Sequence, residues 1–279
     1  SQRTMAAQEN IQSSNPPTNS HYDSLGTTYE DAFFYEAGAY NDWMLDQLSD
    51  CLKLESTNRF ADVGGGTGHI ADALGTRFSL TKDNITVVEP SSSMAEKAKD
   101  RGLRTEVIDG VTWATSENSP ESQIFHRVLV KEVIHHIPVE KRQEMWSSLV
   151  NKMSPTNGRV VIVTRPRDEI DYPFFKQAHE VWKAQSSPVS DLVSDLELAG
   201  FENVVVEMKS YPCRISVDRW VRMVTNRFWS TFDSFDDDEL RAGCEEIKQT
   251  HINSPEISFE DRILFVTANR PSVSASANM

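Results

Sequence analysis

Phe60-Ala61-Asp62-Val63-Gly64-Gly65-Gly66-Thr67-Gly68-His69 is the stretch whose reading decides the fold. An apolar run, Phe60 to Val63, enters a glycine cluster, and a helical pattern from Ile70 to Leu74 leaves it. Strand, glycine turn and helix together open an α/β unit. The glycines admit backbone angles closed to other residues and let a ligand approach the main chain, while the helix start presents free N–H groups. A tight turn without a ligand also uses glycines, so spacing has to discriminate. A dinucleotide loop needs G-x-G-x-x-G. Counted from Gly64, that third glycine is His69, which would crowd the site. The pattern present is G-x-G-x-G, through Gly64, Gly66 and Gly68.

Working outward, similar runs recur at Ile85 to Val88, Thr105 to Ile108, Phe125 to Val130, Val160 to Thr164, Val204 to Glu207 and Ile263 to Thr267. Most are continuously apolar, as strands covered on both faces are. Helical patterns lie between the early ones, for example Ser92 to Arg101 and Val139 to Lys152. This alternation predicts an α/β fold with a parallel sheet and helices on both faces. Ahead of the first strand, Tyr40, Trp43, Met44, Leu48 and Leu52 share one helix face.

More than fifty residues separate Val204 to Glu207 from the last run, far more than a connector needs. They hold two helical patterns, Asp218 to Ser230 and Asp236 to Gln249, and read as a helical lid inserted over residues 210–259. Val217, Trp220, Val224, Phe228 and Thr231 fall on one helical face, with Arg227 inside it. A guanidinium on an apolar stripe is costly unless paired. Arg227 is expected either to meet an acid of the core or to clamp a substrate carboxylate or phosphate. Trp220 with Phe228 and Trp229 would either wall a small acceptor or pack the core.

The chain has 279 residues, 38% hydrophobic, with 28 Lys and Arg against 42 Asp and Glu. It is too apolar for a disordered chain and too poor in cysteine for a disulfide scaffold. A net charge of −14 repels phosphate backbones and acidic membranes, so neither nucleic acid nor membrane is an expected partner. No apolar run approaches the roughly 20 residues of a membrane span, and the N-terminus lacks the order of a secretory signal. Cys51, Cys213 and Cys244 are scattered and form no zinc-type spacing, which reads as reduced thiols in the cytoplasm. Residues 1–20 are polar and read as a disordered arm, and 272–279 as a loose tail, around one domain at 21–271.

Glu89 ends the second strand in Val87-Val88-Glu89-Pro90, about 20 residues past the glycines, where a carboxylate can accept both hydroxyls of a ribose. Asp109 ends the third strand, where a carboxylate can face an adenine amino group. With these residues the sequence resembles the class I S-adenosylmethionine-dependent methyltransferases, in particular their small-molecule branch of ubiquinone/menaquinone type. The resemblance covers roughly Phe60 to Thr164. Asp62 to Gly68 is similar to the family's first motif. Val88-Glu89-Pro90-Ser91-Ser92-Ser93-Met94 resembles the second, which implies that Glu89 holds the ribose and Met94 packs on adenine. Ile108-Asp109-Gly110 resembles the adenine-contacting third motif. Val130-Lys131-Glu132-Val133-Ile134-His135-His136-Ile137 resembles the fourth strand and its exit, whose backbone at Lys131 and Glu132 would lie beside the methionine part of the cofactor. The resemblance implies a Rossmann-like seven-stranded sheet in the order 3-2-1-4-5-7-6 with the last strand antiparallel. It also likens Tyr22, Tyr29 and Tyr35 to a flap that closes over the site.

Methyl transfer from a sulfonium is an in-line displacement that needs alignment and exclusion of water, not a covalent nucleophile. A base is needed only for a protonated acceptor. His135 and His136, just beyond the fourth strand, are the candidates, or else they cap and pack. Glu132 and Asp168 alone do not make a metal site, so none is expected. The reading is S-adenosyl-L-methionine as cofactor, S-adenosyl-L-homocysteine as product and a small-molecule acceptor. The alternatives are a non-catalytic cofactor-binding relative and a nicotinamide-dependent oxidoreductase.

Overall fold

The computed structural model describes residues 37–116 and 124–271. Tyr22, Tyr29, Tyr35, the 1–20 arm and the 272–279 tail lie outside the described residues.

The chain begins with α1 (Ala37–Leu52), whose Tyr40, Met44, Leu48 and Leu52 face the core as their spacing predicts. There follow β1 (Phe60–Val63), α2 (His69–Arg77), β2 (Ile85–Val88), α3 (Ser92–Asp100), β3 (Arg104–Glu106), α4 (Gly110–Thr115), β4 (Arg127–Lys131), α5 (Val139–Lys152) and β5 (Arg159–Thr164). The second half adds α6 (Lys176–Gln185), α7 (Val189–Leu198), β6 (Glu202–Ser216), α8 (Val217–Thr225), α9 (Asp237–Thr250) and β7 (Glu256–Asn269). The seven strands form one sheet in the order β3-β2-β1-β4-β5-β7-β6. All pairs are parallel except those of β7, which runs antiparallel to β5 and β6. This is the architecture the sequence implied.

Successive strand residues alternate between two cores. Leu129, Val161 and Val163 join the core under α1 and α2, while Val128, Val130, Val160 and Ile162 join the one under α4, α5 and α7. Both faces are covered, which is why β1, β2 and β4 read as mostly apolar runs rather than as alternating ones. The placement of the helices also creates the site. Ala71 and Leu74 of α2 enter the first core, and Met145 and Trp146 of α5 enter the second. The chain therefore leaves β1 and its neighbour β4 toward opposite faces. A crevice opens at their carboxyl ends, where α/β proteins bind ligands.

The last two strands depart from expectation. β6 and β7 have 15 and 14 residues, not the short runs Val204 to Glu207 and Ile263 to Thr267. β5 ends at Thr164 opposite Leu264, yet β6 and β7 stay paired out to Ser216 and Glu256. The hairpin thus overhangs the carboxyl edge of the sheet. There Ile257, Phe259, Asp261 and Ile263 are buried on alternate positions, a period that a search for continuous apolar runs misses. The helical insertion joins the free end of the overhang, with the Val217 N–H donating to Pro255 O at 3.0 Å. Of residues 210–259, those at 210–216 and 256–259 are strand. The pattern Asp218 to Ser230 is also shorter as a helix, because α8 ends at Thr225 and Arg227 turns the chain at φ 51°. No helix among the described residues is long and apolar enough to cross a membrane.

The insertion packs firmly onto the body. Trp220 is fully buried, its Nε1–H donates to Pro173 O at 2.9 Å, and its ring lies 4.9 to 6.0 Å from those of Tyr172, Phe174, Trp229 and Phe259. Trp220→Ala leaves a large cavity and a stranded carbonyl. It should lower stability by about 3–5 kcal/mol in a urea titration; a loss below about 1 kcal/mol would mean that the insertion does not dock this way.

Candidate functional site

The glycine loop is shaped by close packing as much as by its own freedom. Gly64 and Gly68 have φ of 71° and 73°, where an L side chain is strained. A Cβ on Gly64 would lie 2.1 Å from Val133, and one on Gly68 within 2.9 Å of both Leu103 and Ala98. The loop is thus wedged between the exit of β4 and the α3–β3 connection. Gly65 closes down on Asp62, whose carboxyl would lie 2.8 Å from an added Cβ. Gly66 is different: among the described residues, the one heavy atom near its missing Cβ is Met94 Sδ at 3.7 Å. The main chain there is open to a ligand, while Met94 itself is buried.

Glu89 is held against this loop. Its Oε2 accepts from Gly66 N–H and its Oε1 from Ser91 N–H, both at 2.9 Å, and it is 7% exposed. Pro90 is half-buried beside it, and Ser91 Oγ caps α3 by accepting from Met94 N–H. Asp109 caps α4, its Oδ1 accepting from Val111 and Thr112 N–H and its Oδ2 from the Thr112 hydroxyl at 2.6 Å. Partial burial works to raise this carboxyl, but those donors together hold it below its usual range. Gly110 packs on β1, with Val63 Cγ1 2.7 Å from where a Cβ would stand.

Beyond β4 the chemistry changes from backbone to ions. Glu132 adopts φ 57°, strained for a side chain, with its N–H donating to Val163 O at 2.8 Å. Its Oε1 pairs with Arg165 Nη1. Arg165 also grips Asp261 on the overhanging β7, through Nη2 at 2.8 Å and Nε at 3.1 Å. The same guanidinium donates to the hydroxyls of Tyr172 and Tyr40 at 3.0 and 3.3 Å. Burial opposes its charge, but Asp261 and Glu132 outweigh burial and keep it protonated well beyond the ordinary range. Lys131, half-buried, is lowered by desolvation despite Glu132 and Asp62.

His135 and His136 lie in a 3₁₀ turn, Ile134–His136, with rings 4.0 Å apart. Arg142 of α5 rivets that turn, donating to Ile134 O at 3.0 Å, Ile137 O at 3.1 Å and Ser187 Oγ at 2.7 Å. His135 presents an exposed side chain with protein close around it. Desolvation, then the charges of Arg165 and Arg142, push its imidazole down to about 4, so it is neutral at pH 7.

Comparison with known proteins follows this geometry. A family model described as a methyltransferase domain matches residues 61–160, from the glycine loop through β5. The chain has the Rossmann-like methyltransferase fold. An uncharacterized methyltransferase of Alkaliphilus oremlandii is 20% identical over 192 residues, 67% of this chain and 83% of that one. Among solved structures, phosphoethanolamine N-methyltransferase 2 of Haemonchus contortus, in complex with phosphomonomethylethanolamine and S-adenosylhomocysteine, superposes with a TM-score of 0.56 at 17% identity. That match covers 91% of this chain, which spans only 58% of the length of the nematode protein. An S-adenosylmethionine-dependent methyltransferase of Archaeoglobus fulgidus gives 0.52 at 14% identity, covering 82% of this chain and 94% of that one. These structural likenesses show the fold that the chain shares with those methyltransferases.

Within the methyltransferase fold, the expected residues divide into two groups. Asp62, the four loop glycines, Glu89, Pro90, Met94, Asp109, Gly110, Lys131, Glu132, His135 and His136 line the carboxyl ends of β1 to β4. Trp220 and Arg227 do not join them. Trp220 is sealed in the aromatic core and offers no surface to an acceptor. Arg227 donates to Phe235 O at 2.8 Å and to exposed Asp237 at 3.1 Å, and lines a cleft between α8 and α9. Asp168 pairs with Lys183 at the surface. Sequence reasoning missed Arg165, Asp261, Tyr172 and Arg142. A signal for two of them existed: Asp261 interrupts a buried alternating stripe, and Arg165 follows directly on a strand.

Asp62 supplies a test of the crevice floor. It is 3% exposed, and burial, helped by Glu89 and opposed by Lys131, lifts its carboxyl to about 7. Its folded value therefore exceeds its unfolded value of roughly 4, so the native state holds the proton more tightly. Its contribution to stability is complete below pH 4 and is lost as pH rises to 7, by about 4 kcal/mol at most. Asp62→Asn removes that dependence. Urea titrations from pH 4 to 7 should show wild type losing stability relative to the variant, and a pH-independent difference would place the Asp62 carboxyl at an ordinary value.

Proposed function

We propose that the protein is an S-adenosyl-L-methionine-dependent methyltransferase that methylates a small-molecule acceptor by in-line transfer. The observation that carries this reading is the Glu89 carboxylate held over Gly66 by two N–H bonds, at the end of the strand next to the glycine loop. The open main chain at Gly66 fits the amino-acid end of the cofactor, and Glu89 fits the ribose hydroxyls. Asp109 and Gly110, at the end of β3, fit adenine. When bound, the cofactor supplies an electrophilic methyl group on a cationic sulfur.

The chain's own task is alignment and exclusion of water. His135 and His136 stand on the 3₁₀ turn fixed by Arg142, just beyond β4. His135, neutral but weakly basic, suits orienting an acceptor by accepting its hydrogen better than stripping a proton from it. The aromatic-packed insertion and the overhanging hairpin border the acceptor side. A net charge of −14 supports a small acceptor over nucleic acid or an acidic membrane. The free, buried thiols of Cys51, Cys213 and Cys244 support a cytoplasmic setting. The ubiquinone/menaquinone-type branch is part of the proposal on motif resemblance alone.

Calorimetric titration tests it. S-adenosylhomocysteine should bind and NAD should not, and Glu89→Gln should weaken S-adenosylhomocysteine about ten- to a hundredfold by removing a charged acceptor. Binding of NAD in place of S-adenosylhomocysteine would replace this reading with an oxidoreductase. Binding without turnover on any acceptor would leave a non-catalytic relative.

A further inference from the structure

Arg165 is answered by two carboxylates where one would neutralise it. Asp261, fully buried, takes Nη2 and Nε and also accepts from the Tyr172 hydroxyl at 2.8 Å. Glu132 takes Nη1 with Oε1 alone. Among the described residues nothing donates to Glu132 Oε2, and a quarter of that side chain is open. A partly exposed carboxylate just beyond β4, anchored to Arg165 through one oxygen, is a fixed acceptor with its second oxygen available to a donor. The left-handed backbone at Glu132 presents it there at a cost in strain that the hairpin contacts sustain. Lys131, next to it in the chain, feels the charges of both Glu132 and Asp62.

We propose that Glu132 recognises the methyl acceptor through Oε2, that the acceptor is accordingly an amine, and that Arg165 and Asp261 are positioning residues that hold this carboxylate. The role assigned is recognition: the acceptor nitrogen gives its proton to solvent, reacts as the neutral amine, takes the methyl group together with the positive charge, and the sulfur leaves as a neutral thioether. The proposal rests on the methyltransferase reading and goes beyond it by selecting cationic or N–H-bearing acceptors over anionic ones. A competing anchor exists. Arg167, two residues past Arg165, makes no hydrogen bond among the described residues, and its Nε is buried. Were that guanidinium the acceptor's handle, an anion would be preferred.

Three fragments of one shape and different charge decide the matter: benzylamine, benzyl alcohol and benzoate, titrated by NMR into protein saturated with S-adenosylhomocysteine. Benzylamine should bind at least about tenfold more tightly than benzoate, and Glu132→Gln should erase that preference. Arg165→Lys, which keeps the charge but loses the fork, should reduce the preference without changing its sign. Thermal melting and S-adenosylhomocysteine affinity of each variant report whether the crevice is intact; Asp261→Asn replaces any variant that fails to fold. Equal or undetectable binding of all three fragments overturns the proposal, as does a preference that survives Glu132→Gln. A benzoate preference abolished by Arg167→Gln gives the site to Arg167. Failure of wild type to bind S-adenosylhomocysteine defeats the methyltransferase reading itself, whereas cofactor binding with no amine preference defeats only the role of Glu132.

Discussion

The guanidinium of Arg165 ties together four parts of the chain that are far apart in sequence: Tyr40 on α1, Glu132 after β4, Tyr172 in the segment after β5 and Asp261 on β7. Burying such a charge is expensive, and attraction to its partners roughly offsets the loss of water. Its effect is on arrangement more than on net stability. Any register of the overhanging hairpin that moved Asp261 away would leave uncompensated charges in an apolar interior. The overhang, and with it the helical insertion, is therefore fixed over the carboxyl edge of the sheet.

The crevice consequently has two halves built by different physics. On the β1–β2 side, backbone geometry dominates: glycines wedged against Val133, Leu103 and Ala98, and a single acid, Glu89, aligned by N–H groups. That half suits a ligand whose parts never vary. On the β4–β5 side, side-chain ions and a riveted histidine turn dominate.

Much of the first half was legible in the sequence. Glycine spacing, the acid after the second strand and continuously apolar strands are local signals, set by backbone angles and by burial on both faces. The second half was less legible because its meaning is pairwise. Arg165 and Asp261 lie 96 residues apart, and neither is informative until the antiparallel return of β7 brings them together. The lid helices show the same limit. Trp220 satisfied the spacing for a pocket wall and for a core residue equally, and the partners that settle it, Pro173 and Phe174, come from a segment the pattern did not mark. Arg227 was placed on a helical stripe by extrapolating a period past Thr225, where the helix has already stopped.

The sequence by itself determined the α/β class, the glycine crevice and its acid, because each depends on residues within one strand–turn–helix unit. Only the tertiary structure decided which charges meet beyond β4 and β5, how far the final hairpin extends and which aromatics are sealed from solvent. Those outcomes depend on desolvation and on long-range pairing, and both are properties of the assembled layers.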